Sequence, residues 1–175
     1  MSNVHSVSFS SVSVGAFVKD IFDITGSTLS NYRLLEVGLG VIAAALSSSA
    51  IETLAVGIYR GSTLSASGSA TGTWELIAPV NVDAMSEATA LFTARINSSS
   101  PGSSGPAAAL VHSQPWNTQQ TFVWRPHVDR YRDERPVMEL GQRLQLRLGA
   151  PAATIIIGGK MIIEEIGRVP GHTTD

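Results

Sequence analysis

A chain of 175 residues with a formal charge of −2 fits a single domain and argues against a phosphate-dominated partner such as DNA or RNA. It contains no cysteine, which excludes disulfides, thiolate zinc sites and a thiol nucleophile together. Charged residues make up 15% against the usual quarter or so, and Ser, Ala and Gly fill the difference, a surface suited to lattice or oligomer packing.

The first residues show no basic region followed by an apolar core, so no signal peptide is expected. Val7, Phe9, Val12 and Val14 alternate loosely among serines. This reads as a strand whose phase slips near Ser10-Ser11, with Met1–Ser13 also a candidate inter-subunit arm. A second strand is expected within Phe17 to Ile24, broken by Gly26-Ser27. Leu35, Val37 and Leu39 alternate with Leu34, Glu36 and Gly38, and Leu54, Val56 and Ile58 repeat the pattern. The apolar run near Val41 is too short to span a bilayer, so no membrane span is expected.

Residues 62–72 (STLSASGSATG) read as a solvated loop of low complexity. Asp83 stands where it could cap a short helix over Ala84–Ala90. Phe92, Ala94 and Ile96 alternate again, and 97–106 is a second Ser/Gly/Pro loop. Gln114-Pro115-Trp116-Asn117 reads as a polar loop. Thr121 to Trp124 reads as strand, and 125–135 as a charged connector. Leu144, Leu146 and Leu148 alternate with Arg143, Gln145 and Arg147, the clearest strand of the chain. The β-branched runs 154–157 and 161–163 read as two closely joined antiparallel strands with Gly158-Gly159 between them, and residues 168–175 form a polar tail. Strands at ten- to twenty-residue spacing with turn signals between them predict an all-β fold. The expected form is an antiparallel β-sandwich or jelly roll, one domain over 1–175, with one short helix.

Candidate chemistry is sparse. Gly38-Leu39-Gly40-Val41-Ile42-Ala43 matches the loose dinucleotide fingerprint and precedes an Ala-rich stretch, 41–46, that could be helical. Against it, Tyr59-Arg60 stands where the acidic ribose ligand belongs, and no further βαβ unit follows. The histidines have no metal-ligand spacing; His127-Val128-Asp129 could present a pair if extended. No G-x-S-x-G occurs. Glu164 and Glu165 are adjacent, so a strand would send them to opposite faces. Arg125, Arg130, Arg132 and Arg135 form the densest positive group, nearly cancelled by Asp129, Asp133 and Glu134. A salt-bridged loop and a protein–protein contact are both open there. Trp116 and Trp74 could be exposed, sugar-facing aromatics or packed ones. The candidate partner contacts are Arg125, Arg130, Arg132 and Trp116. No catalytic residue, cofactor or metal ligand is assigned.

Several short motifs resemble a family of small bacteriophage and prophage-encoded β proteins that are virion components. They are Ser-Val-Ser-Phe at 6–9, Lys19-Asp20-Ile21-Phe22-Asp23-Ile24, Leu34 to Leu39 and Val56 to Gly61. The closing Arg135-Pro136, Leu140 to Leu144 and Glu164 to Gly167 are the most specific. The chain departs from the pattern at Pro79-Val80-Asn81-Val82-Asp83, where relatives read Pro-Leu-Asp-Pro, and in its arginine-rich connector. The resemblance implies a non-enzymatic structural protein of the virion, assembled in the host cytoplasm. Its partners would be major capsid or other virion proteins, with a homo-oligomer expected and a trimer favoured. A capsid decoration or cement role is expected, with a tail-associated or receptor- or glycan-binding module as the alternative.

Overall fold

A computed structural model describes residues 3–16, 18–44, 52–61, 75–82, 90–96, 109–128 and 135–168. These residues form twelve strands: β1 (Asn3–Val14), β2 (Lys19–Thr25), β3 (Ser30–Ala44), β4 (Thr53–Gly61), β5 (Glu75–Ile77), β6 (Val80–Asn81), β7 (Thr93–Ile96), β8 (Ala109–Asn117), β9 (Phe122–Trp124), β10 (Val137–Met138), β11 (Arg143–Leu148) and β12 (Ile155–Arg168). No helix occurs among the described residues. The helix expected over 84–90 lies outside them except for Ala90, which has no regular structure.

The strands form two antiparallel six-stranded sheets. In the first, β10-β3-β12-β1-β6 are neighbours and β9 also pairs with β3. In the second the order is β5-β7-β2-β11-β4-β8. Following the chain through β1, β2, β3, β4, β8, β9, β11 and β12, successive strands change sheet at every step but one, β4 to β8. That alternation is the jelly roll, and β5, β6 and β7 extend the sheets on the side away from β8 and β9.

Alternation of side chains places the core. Leu144, Leu146 and Leu148 are fully buried, as are Phe22, Ile24 and Ile58 on the strands beside them. From the other sheet Val7, Leu34, Val37, Ile157, Met161 and Ile163 face them. The phase slip expected near Ser10-Ser11 is present: pairing of β1 with β12 shifts register between Phe9 and Val12, so Val12 and Val14 still point inward. Gly141, at φ 70°, closes the turn before β11, where the Gln142 N–H donates to the Glu139 carbonyl at 3.0 Å.

Three local readings change. Gly158-Gly159 makes no turn; β12 runs through both, because β1 and β3 pair with them from either side. Residues 41–44 are strand rather than helix, held in register by Ile155 to Ile157. Residues 114–117 are strand rather than loop, paired with Thr53 to Val56. The strand expected over Val7 to Val14 is present as β1, between β12 and β6. Of the tail at 168–175, Arg168 ends β12 and the rest lies outside the described residues.

Candidate binding surface: a groove on one sheet and an open strand edge

On the outer face of the first sheet, β3, β9 and β12 frame a groove of about 550 Å³. Gly38 and Gly40 from β3 and Gly158 from β12 lie along it, with Ile42, Thr121 and Val123 as walls. Period-two geometry aligns Gly38, Gly40 and Ile42 on one face of β3, while register sets Gly40 opposite Gly158 and Gly38 opposite both Lys160 and Val123.

A carboxylate holding two cations closes one end of the groove. Lys160 Nζ lies 2.5 Å from Glu36 Oε1, and Arg125 Nε donates to Glu36 Oε2 at 2.7 Å. Glu36 is nearly buried, whereas Arg125 and Lys160 are 71% and 49% exposed. The hydrogen bond from Lys160, aided by that from Arg125, holds the Glu36 carboxyl below its ordinary value against the opposing effect of burial. The triad therefore carries a net positive charge at neutral pH.

The second sheet offers a different surface. Its last strand, β8, pairs with β4 alone among the described residues and leaves its other side open. Residues 109–117 (ALVHSQPWN) include no Asp, Glu, Lys or Arg. Leu110 and Val111 are 54% and 37% exposed, and Val111 is the extra residue of a β-bulge, the register passing from Ile58–His112 to Tyr59–Leu110. Pro115 fits an edge position, where a missing N–H costs no ladder bond.

Arg125 is thus the predicted contact that falls within a formed surface. Arg130 and Arg132 lie outside the described residues, as do Trp74 and Asp129. Trp116 is not available to a partner: it is 2% exposed. Its indole N–H donates to the Gln120 carbonyl at 2.7 Å, and its ring meets Phe122 edge-on at 6.3 Å. Beside it the His112 and Trp124 rings lie 5.0 Å apart, so aromatic contacts between β8 and β9 close that flank of the sandwich. The dinucleotide fingerprint lies wholly within β3, without the turn and helix N-terminus that would cradle a pyrophosphate. Glu164 and Glu165 do diverge: Glu164 meets Arg33 and Arg135 at 3.6 and 3.7 Å, while buried Glu165 accepts from the Ser30 hydroxyl at 2.6 Å.

Two polar groupings escaped the sequence reading. Asp20 and Asp23 are fully buried although they lie on the outer face of the second sheet. Arg147 binds Asp20 through Nε at 2.6 Å and Nη2 at 3.1 Å, and Arg143 grips Asp23 through the same two nitrogens. Arg147 also stacks on Tyr59, 4.9 Å from the ring centre. The signal was present in Lys19-Asp20-Ile21-Phe22-Asp23 beside Arg143 and Arg147, but only the register joins them. The other grouping is His5, buried between the sheets with neither ring nitrogen hydrogen-bonded, its ring edge-on to Phe92 at 5.6 Å. No group of three or more His, Asp or Glu among the described residues is placed to hold a metal. No protein-family model, no curated protein and no solved structure matches this chain.

Proposed function

We propose that the protein is a structural component of a bacteriophage particle. It is a non-enzymatic β-sandwich that binds neighbouring subunits on the capsid shell as a decoration or cement protein. The observation that carries this reading is the uncharged edge of β8. Soluble proteins blunt such edges with lysines, bulges or covering segments, because bare N–H and C=O groups invite another chain to pair. Here β8 carries a bulge at Val111 and a proline at 115 but not one charge over its nine residues, and Leu110 and Val111 are exposed on it. An edge of that kind is suited to strand addition by a subunit of the same particle. The jelly-roll order of the strands and the resemblance of the N-terminal and closing motifs support the same conclusion. The same resemblance supports self-association into a closed cyclic homo-oligomer, a trimer first among them.

The test begins with particles purified from the phage or prophage that encodes the chain. The protein is expected to co-sediment with them on a density gradient and to resist dilution. Leu110→Lys and Val111→Lys together should release it from the particle while leaving the melting temperature within a few degrees of wild type, since both side chains are exposed. Absence of the protein from the particles would overturn the proposal. Undiminished binding by the double variant would move the interface away from β8.

A further inference from the structure

We propose that the groove beside Gly40 binds a small carboxylate ligand with a ring-sized body, the chemistry of an acidic sugar. This stands apart from shell binding and does not depend on it.

Glycine within a strand loses conformational entropy and packs nothing, so it needs a reason. Gly38 has one: an added Cβ would come within 3.2 Å of Lys160 Cε and 3.3 Å of its Cγ, so the bare position lets that stem lie flat toward Glu36. Gly158 has one too, since a Cβ would sit 3.0 Å from Ile42 Cδ1. Gly40 has none. A Cβ there meets nothing within 4 Å, and its φ is not among the positive values. A strand glycine that its own fold does not require marks a place where something else approaches the backbone.

The surroundings define that something. The Lys160 stem, Ile42 and Val123 flank the bare floor, so the body of the ligand must offer an apolar face. The groove is open, so the opposite face of the ligand stays in water and must be polar. A pyranose, with one C–H face and a rim of hydroxyls, meets both demands; an aromatic acid meets only the first. At the Glu36 end, Arg125 and Lys160 share one carboxylate, each held by a separate oxygen. They are already fixed in place and carry one excess positive charge, which complements a carboxylate on the ligand. The volume, about 550 Å³, lies in the range of small-molecule sites.

Amide chemical shifts of ¹⁵N-labelled protein titrated with sodium glucuronate test the proposal, with glucose and benzoate as controls. Saturable shifts at Gly38, Gly40 and Gly158 are expected at roughly millimolar concentration, with glucose about tenfold weaker for want of the charge-assisted contact. Gly40→Val should abolish the response yet keep the wild-type melting temperature, because its side chain enters open space in a strand. Lys160→Gln should weaken glucuronate without altering the response to glucose. The proposal is overturned by an absence of saturable shifts, by shifts that survive Gly40→Val, or by glucose or benzoate binding as well as glucuronate.

Discussion

His5 shows what one buried side chain imposes on the molecule. Burial lowers its pKa from the ordinary 6.5, and the nearby Glu165 charge offsets only part of that. Its surroundings in the fold are Glu165 on β12, Tyr32 on β3 and the Phe92 ring. Tyr32 itself is pushed up to about 12 by burial and by the same Glu165, so it stays neutral. Below pH 6.5 the unfolded chain takes up a proton at His5 that the folded chain resists. Stability contributed by the neutral imidazole is therefore complete above 6.5 and is lost as pH falls from there toward the lower folded value. The melting temperature should fall as the pH is lowered from about 6.5 to about 5.5, before carboxylates titrate, and His5→Leu should flatten that fall. An equal drop in the variant would assign the effect to other groups. A second expectation concerns Asp20. Asp20→Ala leaves the Arg147 guanidinium, only 14% exposed, without its carboxylate and should cost roughly 3 kcal/mol in urea unfolding. An Asp20→Ala, Arg147→Met double variant should recover much of that loss; no recovery would mean the pair is not the source of the cost.

At the scale of the element, β11 is the test case because both of its neighbours are long strands. Leu146 lies opposite Phe22 on one side and Ile58 on the other, and all three are fully buried. Leu146→Asp should leave no cooperative thermal transition, while Leu146→Ala should fold and lose about 2–5 kcal/mol. A wild-type melting curve for the aspartate variant would reverse the facing of the strand. This element was legible in the sequence because one buried face and one polar face write themselves as a period of two. The same held for β4, β7 and the phase slip in β1. Strand β8 was not legible: ALVHSQPWN has its exposed residues on both faces and a proline within it, so no alternation survives. Nor was the continuity of β12 through Gly158-Gly159, since two glycines signal a turn unless pairing on both sides keeps them extended. The groove was half legible. Arg125 was singled out for its charge, and Gly38 and Gly40 for a nucleotide motif. What joined the two glycines to Lys160, some 120 positions away in sequence, was the register of β3 on β12, and the pairing of β9 with β3 brought Arg125 to the same place.

For the whole molecule, the decisive feature is the partnership of β1 with β12, ten paired positions between Asn3 to Val14 and Ile155 to Glu165. Strand β12 is also the neighbour of β3 and so stands inside its sheet rather than at its rim. A chain ending at residue 153 should therefore lack a melting transition altogether, although it keeps eleven of the twelve strands. Persistence of a sharp transition would show that the second sheet stands alone. Pairing between such remote segments also predicts refolding on the slow side, milliseconds to seconds, measured by stopped-flow tryptophan fluorescence. There is a consequence for biosynthesis. Strand β1 leaves the ribosome well before the β12 that pairs with it, so a Val-rich ribbon waits without its mate while the intervening strands are made. Its serines at 6, 8, 10, 11 and 13 keep that ribbon hydrated during the wait, a service to the nascent chain that the folded sandwich no longer requires.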